Sequence, residues 1–276
     1  MSDQSETTAP RVLVTRPAAQ ASIWVRDLVG QGIDAVALSL IHIVPTASPP
    51  QLDAVWSGLD RFKLVMFVSP NAVEQFFATA SPPRWPEHVL AASPGPGTSA
   101  SLRAFGVPAQ AVIEPGFEAP QFDSEALWQQ LRQRDWRGAH VLMVAGEGGR
   151  DWLAQQLLAC GAQVEHCHVY RRVAPVWSPS ALALVQRALD HPGEHLWFFS
   201  SSEAVVQLTS RFSPPLWSSS QALATHPRIA QTAVDAGFAA VTSCRAHLDA
   251  VVACIQSLSA FRKSTSFSST SPTRSQ

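Results

Sequence analysis

The stretch Leu64-Val65-Met66-Phe67-Val68-Ser69-Pro70-Asn71-Ala72-Val73 returns later in the chain as Leu196-Trp197-Phe198-Phe199-Ser200-Ser201-Ser202-Glu203-Ala204-Val205, with Ser69 and Ser201 standing 132 positions apart. A second pair keeps nearly the same offset. Gly95-Pro96-Gly97-Thr98 leads through a helical pattern to Gly106, and His226-Pro227-Arg228-Ile229 leads to Gly237. In each copy an apolar strand ends in small hydroxyl residues and a helix begins. Such a junction presents backbone N–H groups to an anion at the rim of an α/β sheet. Two such rims predict two similar domains facing one ligand.

The chain has 276 residues, enough for one large or two ordinary domains, and 46% of them are hydrophobic, as a well-filled core requires. A net charge of −1 gives no overall attraction to nucleic acid. The only lysines are Lys63 and Lys263; every other basic residue is arginine, the better fork for carboxylates and phosphates. Cys160, Cys167, Cys244 and Cys254 form no CxxC pair, which argues against a zinc ribbon and against a disulfide framework. The polar start is not a signal peptide, and no apolar run approaches the roughly 18 residues of a membrane span. The expectation is a cytoplasmic protein with no membrane or nucleic-acid partner.

Residues 1–9 and the Ser/Thr-rich residues 260–276 read as disordered tails. Between them short apolar strands alternate with helical patterns that end at glycines. Helices are expected at 71–80, 124–134, 150–160 and 246–258, among others, and an extended segment at 163–173. Alternating βα units give parallel sheets covered by helices on both faces. Two Pro-broken extended segments, near 41–50 and 169–179, bracket the middle of the chain. The expected fold class is therefore α/β: two similar domains with parallel sheets flanked by helices, joined by a two-stranded linker. Domain 1 would be discontinuous, 10–44 plus 176–258, and domain 2 would span 46–172.

Tyr170, the single tyrosine, lies at the return crossing in His168-Val169-Tyr170-Arg171-Arg172. A phenol there can donate a proton or hydrogen-bond a leaving hydroxyl, or it can be an amphipathic linker residue. Gly146-Glu147-Gly148-Gly149-Arg150 lacks a phosphate-loop or dinucleotide signature, so it reads as a glycine turn that sets Arg150 near a helix start. Ser69, Ser201, Ser202 and Thr98 have no nucleophile elbow around them. They either hydrogen-bond a ligand or cap their helices. Strand alternation puts His166 and His168 on one face and Cys167 on the other, and no second cluster completes a metal site. Arg16, Arg171, Arg172 and Arg228 are surface arginines by default, raised in interest by lying at strand ends, turns or the crossing.

Taken in order, these motifs resemble the uroporphyrinogen-III synthase family. The resemblance runs through Thr15-Arg16-Pro17 with Gln20, Phe67 to Val73, Gly95 with Thr98, and Ser124-Glu125 with Leu127. It continues through Gly149-Arg150, Val169-Tyr170-Arg171, Phe199 to Val205, and His226-Pro227-Arg228-Ile229-Ala230. Departures occur at Val68, at the proline-rich turn of Ser93 to Gly97, and at Arg228, where some relatives carry a hydroxyl residue.

The resemblance implies closure of the linear tetrapyrrole hydroxymethylbilane to uroporphyrinogen III, with loss of water and inversion of ring D. It implies no metal or organic cofactor; a monomer is the expected state of the chain. The implied route passes through an azafulvene cation and a spiro intermediate, so the enzyme's main task is to hold one geometry. Tyr170 matches the family tyrosine proposed to assist departure of the hydroxyl. Substrate contacts are expected from Arg16, Ser69, Pro70, Asn71, Thr98, Arg150, Ser201, Ser202, His226 and Arg228. The competing reading is a non-catalytic two-domain module that binds an anionic ligand.

Overall fold

Strand β1 (Arg11–Val14), helix α1 (Ala18–Gly30) and β2 (Ala35–Ala37) open the chain. Next come β3 (His42–Pro45), α2 (Pro49–Ser57), β4 (Leu64–Phe67), α3 (Pro70–Phe76), β5 (Leu90–Ala92), α4 (Pro96–Ala104) and β6 (Val112–Ile113). The series α5 (Ser124–Leu131), β7 (His140–Gly146), α6 (Trp152–Ala159) and β8 (Gln163–Val173) follows. Helix α7 (Pro179–Asp190), β9 (His195–Phe199), α8 (Ser202–Thr209), β10 (Gln221–Ala224), α9 (Pro227–Asp235), β11 (Ala240–Ser243) and α10 (Leu248–Ser268) complete it. This is a computed structural model, and it describes residues 9–78, 84–212 and 216–268. The expected tails, apart from residue 9 and residues 260–268, lie outside the described residues.

The chain divides into two units, residues 1–42 with 174–276, and residues 43–173. The first unit holds a five-stranded sheet of order β11-β10-β9-β1-β2, its neighbours all parallel. In the second unit a six-stranded sheet runs β3-β8-β7-β4-β5-β6, parallel from β8 through β6. Both sheets use one plan. The series β4-α3-β5-α4-β6 winds outward from the centre of its sheet, as β9-α8-β10-α9-β11 does from the other. The remaining pairs, β7-α6-β8 and β1-α1-β2, wind the opposite way.

Burial explains the apolar runs. All four residues of β4 are buried because helices cover both faces of its sheet. Val65 and Phe67 pack into a cluster with Trp56, Phe76, Phe77 and Trp85, whereas Leu64 and Met66 meet Leu127, Trp136, Leu153 and Leu157. That division is the two-residue period of a strand. In the first unit Val12 and Val14 face Leu28, Val251 and Ile255. Trp197 packs with Phe199 and Trp217, and Phe199 with Phe238. The four cysteines are free thiols, and burial pushes the Cys244 thiol up to about 12. Among the described residues no helix is long and apolar enough to cross a membrane.

Helices α3 and α5 end earlier than expected, at Phe76 and Leu131, and three further boundaries differ from the sequence expectation. Pro49 and Pro50 do not break the pattern; they open α2, where the first-turn N–H groups have no helical partner to lose. Gln51 Oε1 accepts from the Ser48 backbone N–H at 2.8 Å and closes that end. Helix α6 starts at Trp152, so Arg150 precedes it rather than heading it. Helix α10 runs to Ser268, past the end expected at Leu258. No glycine or proline stands between Gly237 and Pro272 to stop it, and the Ser257 and Ser259 hydroxyls are spent on the Ala253 and Ile255 carbonyls one turn back.

Glu74 on α3 offers a pH test of this packing. It is half-buried, and among the described residues nothing pairs with it. Burial therefore pushes its carboxyl above the usual carboxylate range. A raised folded-state value means that the folded chain holds this proton more tightly than the unfolded one. Stability then falls as pH rises through that value, and the ionised carboxylate is a net cost above it. Glu74→Gln is expected to melt higher than the parent at pH 8, with the gap closing towards pH 4. A melting difference independent of pH would rule this out.

Candidate functional site

Each sheet reverses its winding between two central strands. In the second unit the switch lies between β4 and β7, and in the first between β9 and β1. Ligands of open α/β sheets bind beside the carboxyl ends of the strands at such a point. The residues that follow those strand ends are Ser69, Glu147, Ser200-Ser201 and Thr15-Arg16.

In the second unit, β8 carries Tyr170 to this edge. The β7–β8 register slips there: Ala145 pairs with His168 but Gly146 pairs with Tyr170, so Val169 is extra. A bulge of this kind re-aims a side chain. Val169 and Tyr170 both end up buried, Tyr170 being 2% exposed. The ring lies so close to β7 that a Cβ on Gly146 would sit 2.5 Å from Tyr170 Cε2. The Glu147 backbone N–H donates to the Tyr170 carbonyl at 2.7 Å and fixes the approach. The phenol lies 3.0 Å from Ser69 Oγ, and Arg172 Nη1 donates to it at 3.2 Å. Arg172 Nη2 also reaches the Glu147 carbonyl at 3.4 Å, and the guanidinium stands 5.7 Å from the Tyr170 ring centroid.

Beside this group is a cavity of about 450 Å³. Its lining includes Val68, Gly148, Gly149, Arg150, His166, His168 and Arg172. Gly148 and Gly149 have φ of 67° and 133°, which L side chains rarely adopt, and so let the turn fold back at the cavity edge. The Arg150 fork is already engaged, its two nitrogens donating to Glu125 at 2.5 and 3.0 Å. His166 and His168 are exposed, with ring centroids 6.0 Å apart. Among the described residues no group of three His, Cys, Asp or Glu side chains could hold a metal ion.

In the first unit, Thr15 ties β1 to β9: its backbone N–H and its Oγ1 both donate to the Phe198 carbonyl, at 3.2 and 2.8 Å. Arg16 then turns over Trp24, with Cζ 4.8 Å from the ring centroid. Its Nε is cut off from solvent and has no hydrogen-bond partner among the described residues. Burial pushes the guanidinium down to about 10, with the nearby Cys244 acting the other way, so Arg16 stays charged at neutral pH. Arg16 thus carries its charge on an aromatic face with no carboxylate partner among the described residues, an arrangement chemically able to bind an anion.

The remaining candidates sort by what already occupies them. Ser69 caps α3, its Oγ accepting from the Ala72 N–H at 3.2 Å, and Pro70 and the buried Asn71 form that helix's first turn. Ser201 caps α8 by accepting from the Glu203 N–H at 3.2 Å. Thr232 Oγ1 donates to Ser202 Oγ at 3.0 Å, joining α8 to α9. His226 Nδ1 accepts from the Arg228 N–H at 3.1 Å and caps α9, while the Arg228 side chain is exposed. Thr98 is 4% exposed inside α4, where Gly95 occupies the cap position. The capping alternative thus describes Ser69 and Ser201 as they stand but not Ser202 or Thr98, and His226 is a cap that the sequence reading did not offer. Arg172 is the residue that sequence reasoning underweights. Its signal is the two-residue spacing from Tyr170, which puts both on one side of a strand.

A profile of the family described as "Uroporphyrinogen-III synthase HemD" matches residues 23–253 of this chain. The uroporphyrinogen-III synthase of Escherichia coli strain K12 is 29% identical over 170 residues, 59% of this chain and 65% of the relative. That of Salmonella typhimurium is 29% identical over 167 residues, with the same coverage of 59% and 65%. The chain thus spans just under two thirds of these relatives' length. In fold, the chain resembles a uroporphyrinogen-III synthetase of Helicobacter pylori at a TM-score of 0.56 and 15% identity, covering 91% of this chain and 100% of that one. A mutant synthase of the extremely thermophilic bacterium Thermus thermophilus gives a TM-score of 0.55 at 15% identity, over 94% and 99% of the two chains.

Proposed function

The chain belongs to the uroporphyrinogen-III synthase family, and from that premise we propose that it closes hydroxymethylbilane to uroporphyrinogen III with loss of water and inversion of ring D. The observation that carries this reading is the placement of the Tyr170 phenol at a topological switch point, hydrogen-bonded to Ser69 and Arg172. A hydroxyl group held beside a guanidinium suits the departure of a hydroxide-equivalent as water. The reaction needs no redox step and no activated nucleophile. Holding one conformer of the linear tetrapyrrole against its default closure is then the larger share of catalysis.

The substrate brings eight carboxylates to a protein of net charge −1, so local cations must bind it. The pairing pattern divides the arginines. Arg16, Arg171 and Arg228 have no carboxylate partner among the described residues and are the proposed carboxylate contacts. Arg150 already forks onto Glu125, so it contributes by stiffening the glycine turn or by exchanging that partner for the substrate. The backbone N–H groups at the starts of α8 and α9 add donors of fixed direction. The same reading has the protein act as a cytoplasmic monomer on this small molecule, without a cofactor.

The decisive experiment is chromatographic isomer analysis of the product formed from hydroxymethylbilane. The type III isomer in excess over the spontaneous type I product is the expected result. Tight binding with only type I product would favour the non-catalytic anion-binding module.

A further inference from the structure

The hydrogen bonds around Tyr170 have a direction, and the direction changes which residue reaches the substrate. Arginine carries donors only, so the 3.2 Å contact from Arg172 Nη1 uses the phenol oxygen as an acceptor. The single phenol proton is then directed to its other neighbour, Ser69 Oγ, at 3.0 Å. Ser69 Oγ also accepts from the Ala72 N–H at 3.2 Å. With both of its acceptor positions in use, the Ser69 hydroxyl has its own proton left to give. Exposure agrees with this order. Tyr170 is 2% exposed and sits in the apolar cluster of Phe67 and Val144, whereas Ser69 is only half-buried.

Resting on the synthase reading above, we propose that Ser69 is the catalytic proton donor to the departing hydroxyl, and that Tyr170 and Arg172 act through it as positioning residues. The hydroxymethyl C–O bond breaks with its electron pair going to oxygen. Ser69 Oγ–H protonates that oxygen, which leaves as water, and Ser69 takes the phenol proton in the same motion. The organic fragment is the azafulvene cation, and the phenolate formed at Tyr170 is held against the Arg172 guanidinium. Ring closure later releases a proton as the attacked pyrrole regains its aromaticity, and this proton returns through Ser69 to Tyr170. One water leaves, and no other reagent enters.

The relay is tested by a double-mutant cycle on the full chain with hydroxymethylbilane, read as kcat, KM and isomer ratio. Ser69→Ala is expected to lower kcat at least as far as Tyr170→Phe, about tenfold, with KM little changed. Tyr170→Phe placed on Ser69→Ala should then cost less than about a further twofold, because the phenol has lost the group it acts through. Ser69→Thr keeps both hydroxyl and cap and should restore most of kcat. If Ser69→Ala fails to fold for want of its cap, the solvent isotope effect on the parent decides. A curved dependence of kcat on deuterium fraction, becoming linear in Tyr170→Phe, supports two protons in flight. Effects that multiply in the cycle, or a linear dependence in the parent, overturn the relay while leaving the synthase reading intact. A parent that makes no type III isomer overturns both.

Discussion

Replacing Gly146 with alanine is expected to damage both stability and turnover. The new Cβ would fall 2.5 Å from Tyr170 Cε2 and 2.6 Å from Cζ, well inside contact distance. The ring is rigid and 2% exposed, so it cannot swing aside into solvent. Overpacking of this kind costs about 1–3 kcal/mol. The loss of unfolded-state freedom on replacing glycine returns only about 0.5 kcal/mol. The thermal midpoint should fall by roughly 5 °C. Any shift of the ring away from β7 also breaks the 3.0 Å contact with Ser69, so kcat should fall about as far as in Tyr170→Phe, roughly tenfold, at temperatures where the variant is fully folded. Melting curves and initial rates on the same preparation check both halves. A parent-like midpoint with parent-like kcat would mean that the bulge at Val169 absorbs a methyl group freely.

Tyr170→Phe separates chemistry from packing at the same position. The ring stays, so the cluster around Phe67 and Val144 is nearly unchanged. Ser69 and Arg172 lose a partner, but both are only half-buried and water can replace it. The midpoint should therefore move little. General-acid assistance is typically worth about 10²–10⁴-fold. We expect about tenfold in kcat, because hydroxymethylbilane also loses water unaided and solvent can stand in for the phenol. An unchanged kcat and isomer ratio in the folded variant would falsify any part for Tyr170 in the reaction, direct or through Ser69.

The parts of this structure that are legible in the sequence are those in which local chemistry and tertiary position agree. The α/β class follows from apolar runs alternating with glycine-ended helical patterns, and β8 spans 163–173 as its residues predict. Glycines at 32, 106, 161 and 237 do have positive φ at helix ends. Helix α2 escapes a local reading because its prolines pass for breakers when they stand in a first turn. The start of α6 escapes it because Asp151, not Arg150, occupies the cap position. Ser124 looks like a cap, but Asp123 fills that role, accepting from the Ala126 N–H at 2.8 Å. The site shows a deeper limit. Glu125 closes on Arg150 across 25 positions, and Ser69 meets Tyr170 across 101. No local pattern encodes partners set by strand order. The bulge that buries Tyr170 is a one-residue slip between two strands, invisible in either strand alone.

The sheet order of the first unit has a consequence for synthesis on the ribosome. Strand β1, interior to this sheet, ends at Val14, but the neighbour on one side, the central strand β9, starts only at His195. At about 5–20 residues per second, roughly 180 residues take about 10–40 s to emerge. For that interval Val12, Leu13 and Val14 have one sheet edge unpaired, and by its end every strand of the other unit, through Val173, has emerged. Strand β1 is thus made about 180 residues before the neighbour that completes its pairing. A nascent-chain holdase would find its longest window there, and slow codons placed ahead of β9 would prolong the exposure rather than relieve it.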